Sequence, residues 1–114
     1  KDGKYQMPEN LGPGINTPRS EADPAVTRDG KTLIFYAINR PDETGGGDLY
    51  ISTFENGEWT RARNLGSTVN TIGEENFPVF SPDNTVLFFT SDRDSERQFP
   101  DIYWIESAAV GVSP

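Results

Sequence analysis

The sequence contains no cysteine and no histidine. That excludes disulfides, thiol nucleophiles, histidine-based triads and Cys/His zinc sites within it. Basic residues are scarce as well: 10 Lys and Arg stand against 18 Asp and Glu, a formal charge of −8. A nucleic-acid surface needs a basic patch to displace counterions, so that class is excluded too. No apolar run is long enough for a membrane span, and no signal peptide is visible. At 114 residues the chain has room for one domain with a modest core.

What is abundant is punctuation. The 11 Gly and 9 Pro break the chain into short apolar runs, which is the pattern of an all-β domain.

One irregular phrase is written twice. "NLGPGINT" spans Asn10 to Thr17, and "NLGSTVNT" spans Asn64 to Thr71, 54 residues later. At that offset Glu21 meets Glu75, Pro24 meets Pro78, Asp29 meets Asp83, and Leu33 and Phe35 meet Leu87 and Phe89. After one single-residue gap the offset is 53, and Arg40, Asp48 and Tyr50 meet Arg93, Asp101 and Tyr103. A period near 50 points to a repeat architecture such as propeller blades. The expected organisation is two repeats over 1–106, the first about 1–54 and the second about 55–106, with a C-terminal tail at 107–114.

The repeating unit reads as four antiparallel strands, of which the second repeat has three. The first has Ala22–Thr27, Thr32–Ala37, Asp48–Phe54 and Glu58–Arg63; the second has Asn76–Ser81, Thr85–Ser91 and Asp101–Glu106. Gly3–Met7 resembles a fourth strand. Asn56-Gly57 is a hairpin turn, because both residues tolerate positive φ. The second and third strands are nearly continuous in apolar residues and are expected to be covered on both faces. The duplicated phrase is the linker from the outer strand of one unit to the inner strand of the next. Its Asn, Thr and Gly residues suit local bonding to free backbone groups, and Glu75 suits accepting from the same backbone.

"FPVFSPDNTVLFFTSDRD" (Phe77 to Asp94), "DIYWIE" (Asp101 to Glu106) and the two "NLG…NT" linkers together resemble the WD-like "PD" repeats of TolB-type β-propellers. The first unit departs from the pattern at Thr27-Arg28-Asp29 and at Ile38-Asn39-Arg40. The resemblance implies about two four-stranded blades of a six-bladed propeller, as a C-terminal segment of a longer ring or as one third of a homotrimer. It also implies a non-catalytic protein-binding module in an extracytoplasmic setting, the periplasm or cell envelope. Its partners would be another protein or the remaining blades. Related propellers also belong to carbohydrate-active or peptidase enzymes, or bind oligosaccharides, so fold does not fix role.

Long loops and linkers are expected at one end of the strands and tight turns at the other. Binding usually lives on loops held by a rigid scaffold. The partner-binding candidates on that end are Arg19, Arg40, Glu74, Arg93 and Arg97. Arg40 and Arg93 recur between units, which favours a structural task such as bonding loop carbonyls. Arg19, Glu74 and Arg97 do not recur and are the better contact candidates. The alternating acids of Asp92 to Glu96 are oxygen ligands of the kind calcium takes, but they lack the Gly and ligand set of an EF-hand loop. No metal, cofactor or catalytic residue is assigned. Gly45-Gly46-Gly47 has no following helix or Lys to make a phosphate cradle and reads as a flexible loop. Trp59 and Trp104 read as packing residues.

Overall fold

The computed structural model describes residues 6–94 and 99–112. The fold is all-β, built from curled antiparallel sheets. The first sheet contains β1 (Glu21–Val26), β2 (Thr32–Ala37), β3 (Asp48–Glu55), β4 (Glu58–Trp59) and β5 (Arg63–Asn64). β1, β2 and β3 are adjacent in order, and β4 and β5 both pair with β3. The second sheet contains β6 (Glu75–Phe80), β7 (Val86–Ser91) and β8 (Asp101–Glu106), also in order. Among the described residues no helix is long and apolar enough to cross a membrane.

The two sheets have matching registers. β2 and β3 pair Ile34 with Ile51, Phe35 with Tyr50 and Tyr36 with Leu49. β7 and β8 pair Phe88 with Trp104, Phe89 with Tyr103 and Thr90 with Ile102. These are the same positions displaced by 54 and 53 residues. Both β1 and β6 carry a bulge, at Asp23 (φ 53°) and Phe77 (φ 52°). Left-handed backbone is uncommon for a bulky aromatic, so the bulge is imposed by the fold and not by local preference.

The tight turns also match. Asp29 Oδ1 accepts from Thr27 Oγ1 at 2.8 Å and Lys31 N at 3.0 Å. Asp83 Oδ1 accepts from Ser81 Oγ at 2.8 Å and Thr85 N at 3.0 Å. A short acceptor two residues after a hydroxyl closes the turn without strand hydrogen bonds.

The expected fourth strand, Glu58–Arg63, is interrupted. Thr60 still holds β3, its N donating to Thr53 O at 2.8 Å while its O accepts from the Ser52 hydroxyl, but the next residues leave it, and Ala62 N donates instead to Gly14 O at 2.9 Å. The linker therefore takes the Ala62 bond that a regular ladder would have used. Of the fourth-like strand expected over Gly3–Met7, residues 3–5 lie outside the described residues, and Gln6 and Met7 are not in a strand. The tail is not a free end: Ser107–Val110 forms a 3-10 turn, and Val110 and Val112 are buried in the core.

The main core lies between the sheets. Ile34, Leu49 and Ile51 of the first sheet meet Leu87 and Phe89 of the second, with Leu65 and Val69 of the linker between them. Each buried aliphatic side chain contributes roughly 1.5–3 kcal/mol. A second cluster, on the other face of the first sheet, joins Leu33, Phe35, Ala37 and Tyr50 to Ile15 and Ala62, with Trp59 packed against it.

Burial on both faces holds for β2 and β3 and fails for β7 and β8. Phe88, Ile102 and Trp104 point outward and are exposed, so Trp104 is not the packing residue the sequence suggests. Trp59 does pack, edge-on to Phe54 with ring centroids 5.3 Å apart. Two sheets supply one interface, and the outer face of the second sheet has nothing over it among the described residues.

Candidate functional site

The linkers and the β2–β3 loop come together at one end of the sheets. Each linker first closes on itself. Asn10 Oδ1 accepts from Gly12 N at 2.8 Å and Asn16 Nδ2 at 3.1 Å; Asn64 Oδ1 accepts from Gly66 N at 2.7 Å and Asn70 Nδ2 at 2.8 Å. Gly12 and Gly66 carry φ of 95° and 82°, a region that penalises a side chain. The repeated Asn, Gly and Asn of the phrase are thus one device.

The Thr that ends each phrase then clamps a glutamate. Thr17 Oγ1 donates to Glu21 at 2.6 Å, and Thr71 Oγ1 donates to Glu75 at 2.6 Å, while the two Thr backbone N–H groups bond the same carboxylates. Glu75 is fully buried and also accepts from Ser91 Oγ at 2.8 Å. Buried carboxylates persist where every acceptor has a donor, and these satisfy that condition with local groups.

Arg40 and Arg93 complete the device. Arg40 donates to Ile15 O at 2.6 Å and pairs with Glu21 at 3.2 Å. Arg93 donates to Val69 O at 2.7 Å and, through Nε, to Ser91 Oγ at 3.0 Å. Arg40 lies over Phe35 and Tyr50, its guanidinium carbon 5.3 Å and 4.9 Å from the ring centroids. Arg93 lies over Phe89 and Tyr103 at 5.4 Å and 4.6 Å. A planar cation that stacks and bonds a carbonyl at once is a task for Arg and not for Lys. In the second half Ser91 stands between glutamate and arginine; in the first half that position is Ala37, and the arginine reaches the carboxylate directly.

The remaining candidates lie around this frame. Arg19 is exposed and donates to Asn39 O at 3.0 Å, which places it beside the Arg40 loop. Glu74 joins the two halves: its Oε1 accepts from Tyr36 OH at 2.8 Å, and its N donates to Asp92 Oδ1 at 2.6 Å. Asp92 therefore faces a backbone donor and not only water. Arg97 lies outside the described residues.

Burial, then the bond to Glu74, pushes the Tyr36 hydroxyl up to about 12 from 10.0. Burial likewise raises Tyr50, whose hydroxyl donates to Asp42 at 2.8 Å.

The triple glycine is a tight crossing and not a loose loop. Gly46 N donates to Gly73 O at 3.2 Å, and Gly47 and Glu74 form a parallel bridge. A Cβ at Gly45 would lie 2.4 Å from Gly73 O. The signal for this crossing was the glycine run itself; the stacked arginines were signalled by Arg, Phe and Tyr recurring in step.

Among the described residues no group of three or more His, Cys, Asp or Glu converges as a metal site would require. What the arrangement can do is hold exposed side chains on stiff loops. Searched against protein families and curated proteins, the chain matches no family model and no curated sequence.

Proposed function

We propose that the chain is a non-catalytic binding module, two blades of a TolB-like β-propeller, which engages a protein partner with its loop end. The observation that carries this reading is the duplicated clamp of Arg40 and Arg93 on the linker carbonyls of Ile15 and Val69. Such a clamp fixes the loops before any partner arrives, so little ordering cost is left for binding. Exposed Arg19 and Asp42 stand on that fixed rim and supply charge for recognition. The partner is another protein or further blades of the same propeller, in an extracytoplasmic setting.

The test compares the two ends. A photo-reactive residue replaces Asp42 on the loop rim in one protein and Asp83 on the tight-turn end in another. Both are irradiated in extracts of the source cells. A discrete adduct from the Asp42 position alone is expected. Equal labelling from both ends would overturn the reading.

A further inference from the structure

We infer that the exposed face of the second sheet docks a second copy of this chain, head to tail, through the Asn10–Thr17 linker and first sheet of that copy. The inference rests on the repeat reading of the fold and names a partner for it.

The interface already exists once inside the molecule. Ile34, Leu49 and Ile51 of the first sheet are 0%, 0% and 4% exposed, because the second sheet and the Asn64–Thr71 linker lie on them. Their counterparts are Phe88, Ile102 and Trp104, at 40%, 75% and 65% exposed. The same position in the repeat is buried where a neighbour is present and bare where the described residues provide none. Monomeric proteins seldom leave three large apolar side chains together on an open sheet.

The complementary surface is bare at the other end of the molecule. Leu65, on the linker that covers the first sheet, is 7% exposed; its counterpart Leu11 is 44% exposed. Asn70 grips the first sheet, donating to Leu49 O and accepting from Leu49 N, each at 2.9 Å. Asn16 is the counterpart of Asn70 and Ile102 the counterpart of Leu49. Seating the linker of one copy on the second sheet of another brings Asn16 to the Ile102 backbone, as Asn70 is brought to Leu49. Each molecule thus carries one half of a joint at each end. The contact is heterologous: the two surfaces differ, and it propagates until a ring closes. Because the chain carries a charge of −8 and the joint is apolar, added salt strengthens the assembly by screening repulsion.

Sedimentation velocity of the full chain tests this against two double variants. The head variant carries Ile102→Glu and Trp104→Glu; the tail variant carries Leu11→Glu and Asn16→Ala. All four positions lie outside the main core, and circular dichroism is the check that each variant folds. The wild type is expected to assemble, and each variant alone to associate at least about 100-fold more weakly. An equimolar mixture of the two variants is expected to give a 1:1 complex and nothing larger, since one intact head meets one intact tail. A wild type that stays monomeric, a tail variant that assembles like the wild type, or a mixture that does not associate would each overturn the inference. The loop-rim labelling experiment reads a different surface, so failure here and failure there are distinguishable.

Discussion

Trp104 pairs with Phe88 in the second sheet as Ile51 pairs with Ile34 in the first, yet Ile51 is covered and Trp104 is bare. The strand positions are equivalent and the surroundings are not. Position in the repeat sets which way a side chain points; the neighbouring sheet sets whether it is buried.

The same asymmetry gives a prediction for the linkers. Replacing Asn70 by Leu removes the acceptor of Leu49 N and one of the two donors to Leu49 O, Leu65 N being the other, and should cost about 2–3 kcal/mol. Replacing Asn16 by Leu in the monomeric head variant should cost less than about 1 kcal/mol, because among the described residues its side chain bonds only Asn10. Urea unfolding of each protein measures the difference. Equal losses would mean that Asn70 does no more than Asn16.

The arginine clamps should differ in strength. Arg40→Ala removes the counter-charge of Glu21, whose side chain is 12% exposed, leaving it only the Thr17 donors, and should cost about 3–5 kcal/mol. Arg93→Ala leaves Glu75 with its Thr71 and Ser91 donors and should cost about 2 kcal/mol. Lys at either position should recover only part of the loss, since it cannot stack and fork. Denaturation midpoints with unchanged slopes would report these values.

Within the triple glycine, neighbours should behave oppositely. Gly45→Ala forces a Cβ against the Gly73 and Ile72 backbone and should destabilise by about 2–3 kcal/mol or more. Gly46→Ala meets only the end of Glu74, at 4.0 Å, and should be nearly neutral. Thermal melts of the two variants distinguish a tight crossing from a loose loop, which would tolerate both.

Stability should fall at both extremes of pH. Tyr36 is raised from 10.0 to about 12 in the folded chain, so the protonated hydroxyl is favoured by folding. Its contribution is complete below pH 10 and is lost as pH rises towards 12. Asp83 is lowered from 3.8 to about 2 by the Thr85 and Ser81 donors, and Asp29 is lowered by Lys31 N and Thr27. Their contribution is present above pH 3.8 and is lost as pH falls towards 2. Tyr36→Phe should weaken the alkaline transition, and Asp83→Asn should weaken the acid one. Unfolding free energy measured across pH checks both signs.

Much of the fold was legible because turn chemistry is local. Asp29 and Asp83 close their turns with neighbours two residues away, and the alternation of Phe35 with Tyr50 and Phe89 with Tyr103 fixes register. The interrupted fourth strand was not legible, since Ala62 bonds Gly14, 48 residues earlier in the chain. Nor was the exposure of Trp104, which depends on what lies over a sheet and not on the sheet itself. At the loop end, recurrence marked Arg40 and Arg93 as structural, but stacking on paired rings needs the third dimension. Glu74 read as a contact residue, and the bond from Tyr36 across to the other half carries no sequence signal.

Whether the chain is one unit written twice is tested most directly by nuclear magnetic resonance of its arginine side chains. Two guanidinium groups, those of Arg40 and Arg93, should show slow exchange and ring-current displacement from Phe35 with Tyr50 and from Phe89 with Tyr103. Each should disappear with its own Lys substitution and leave the other in place. A displaced, protected signal from one half alone would contradict the duplication.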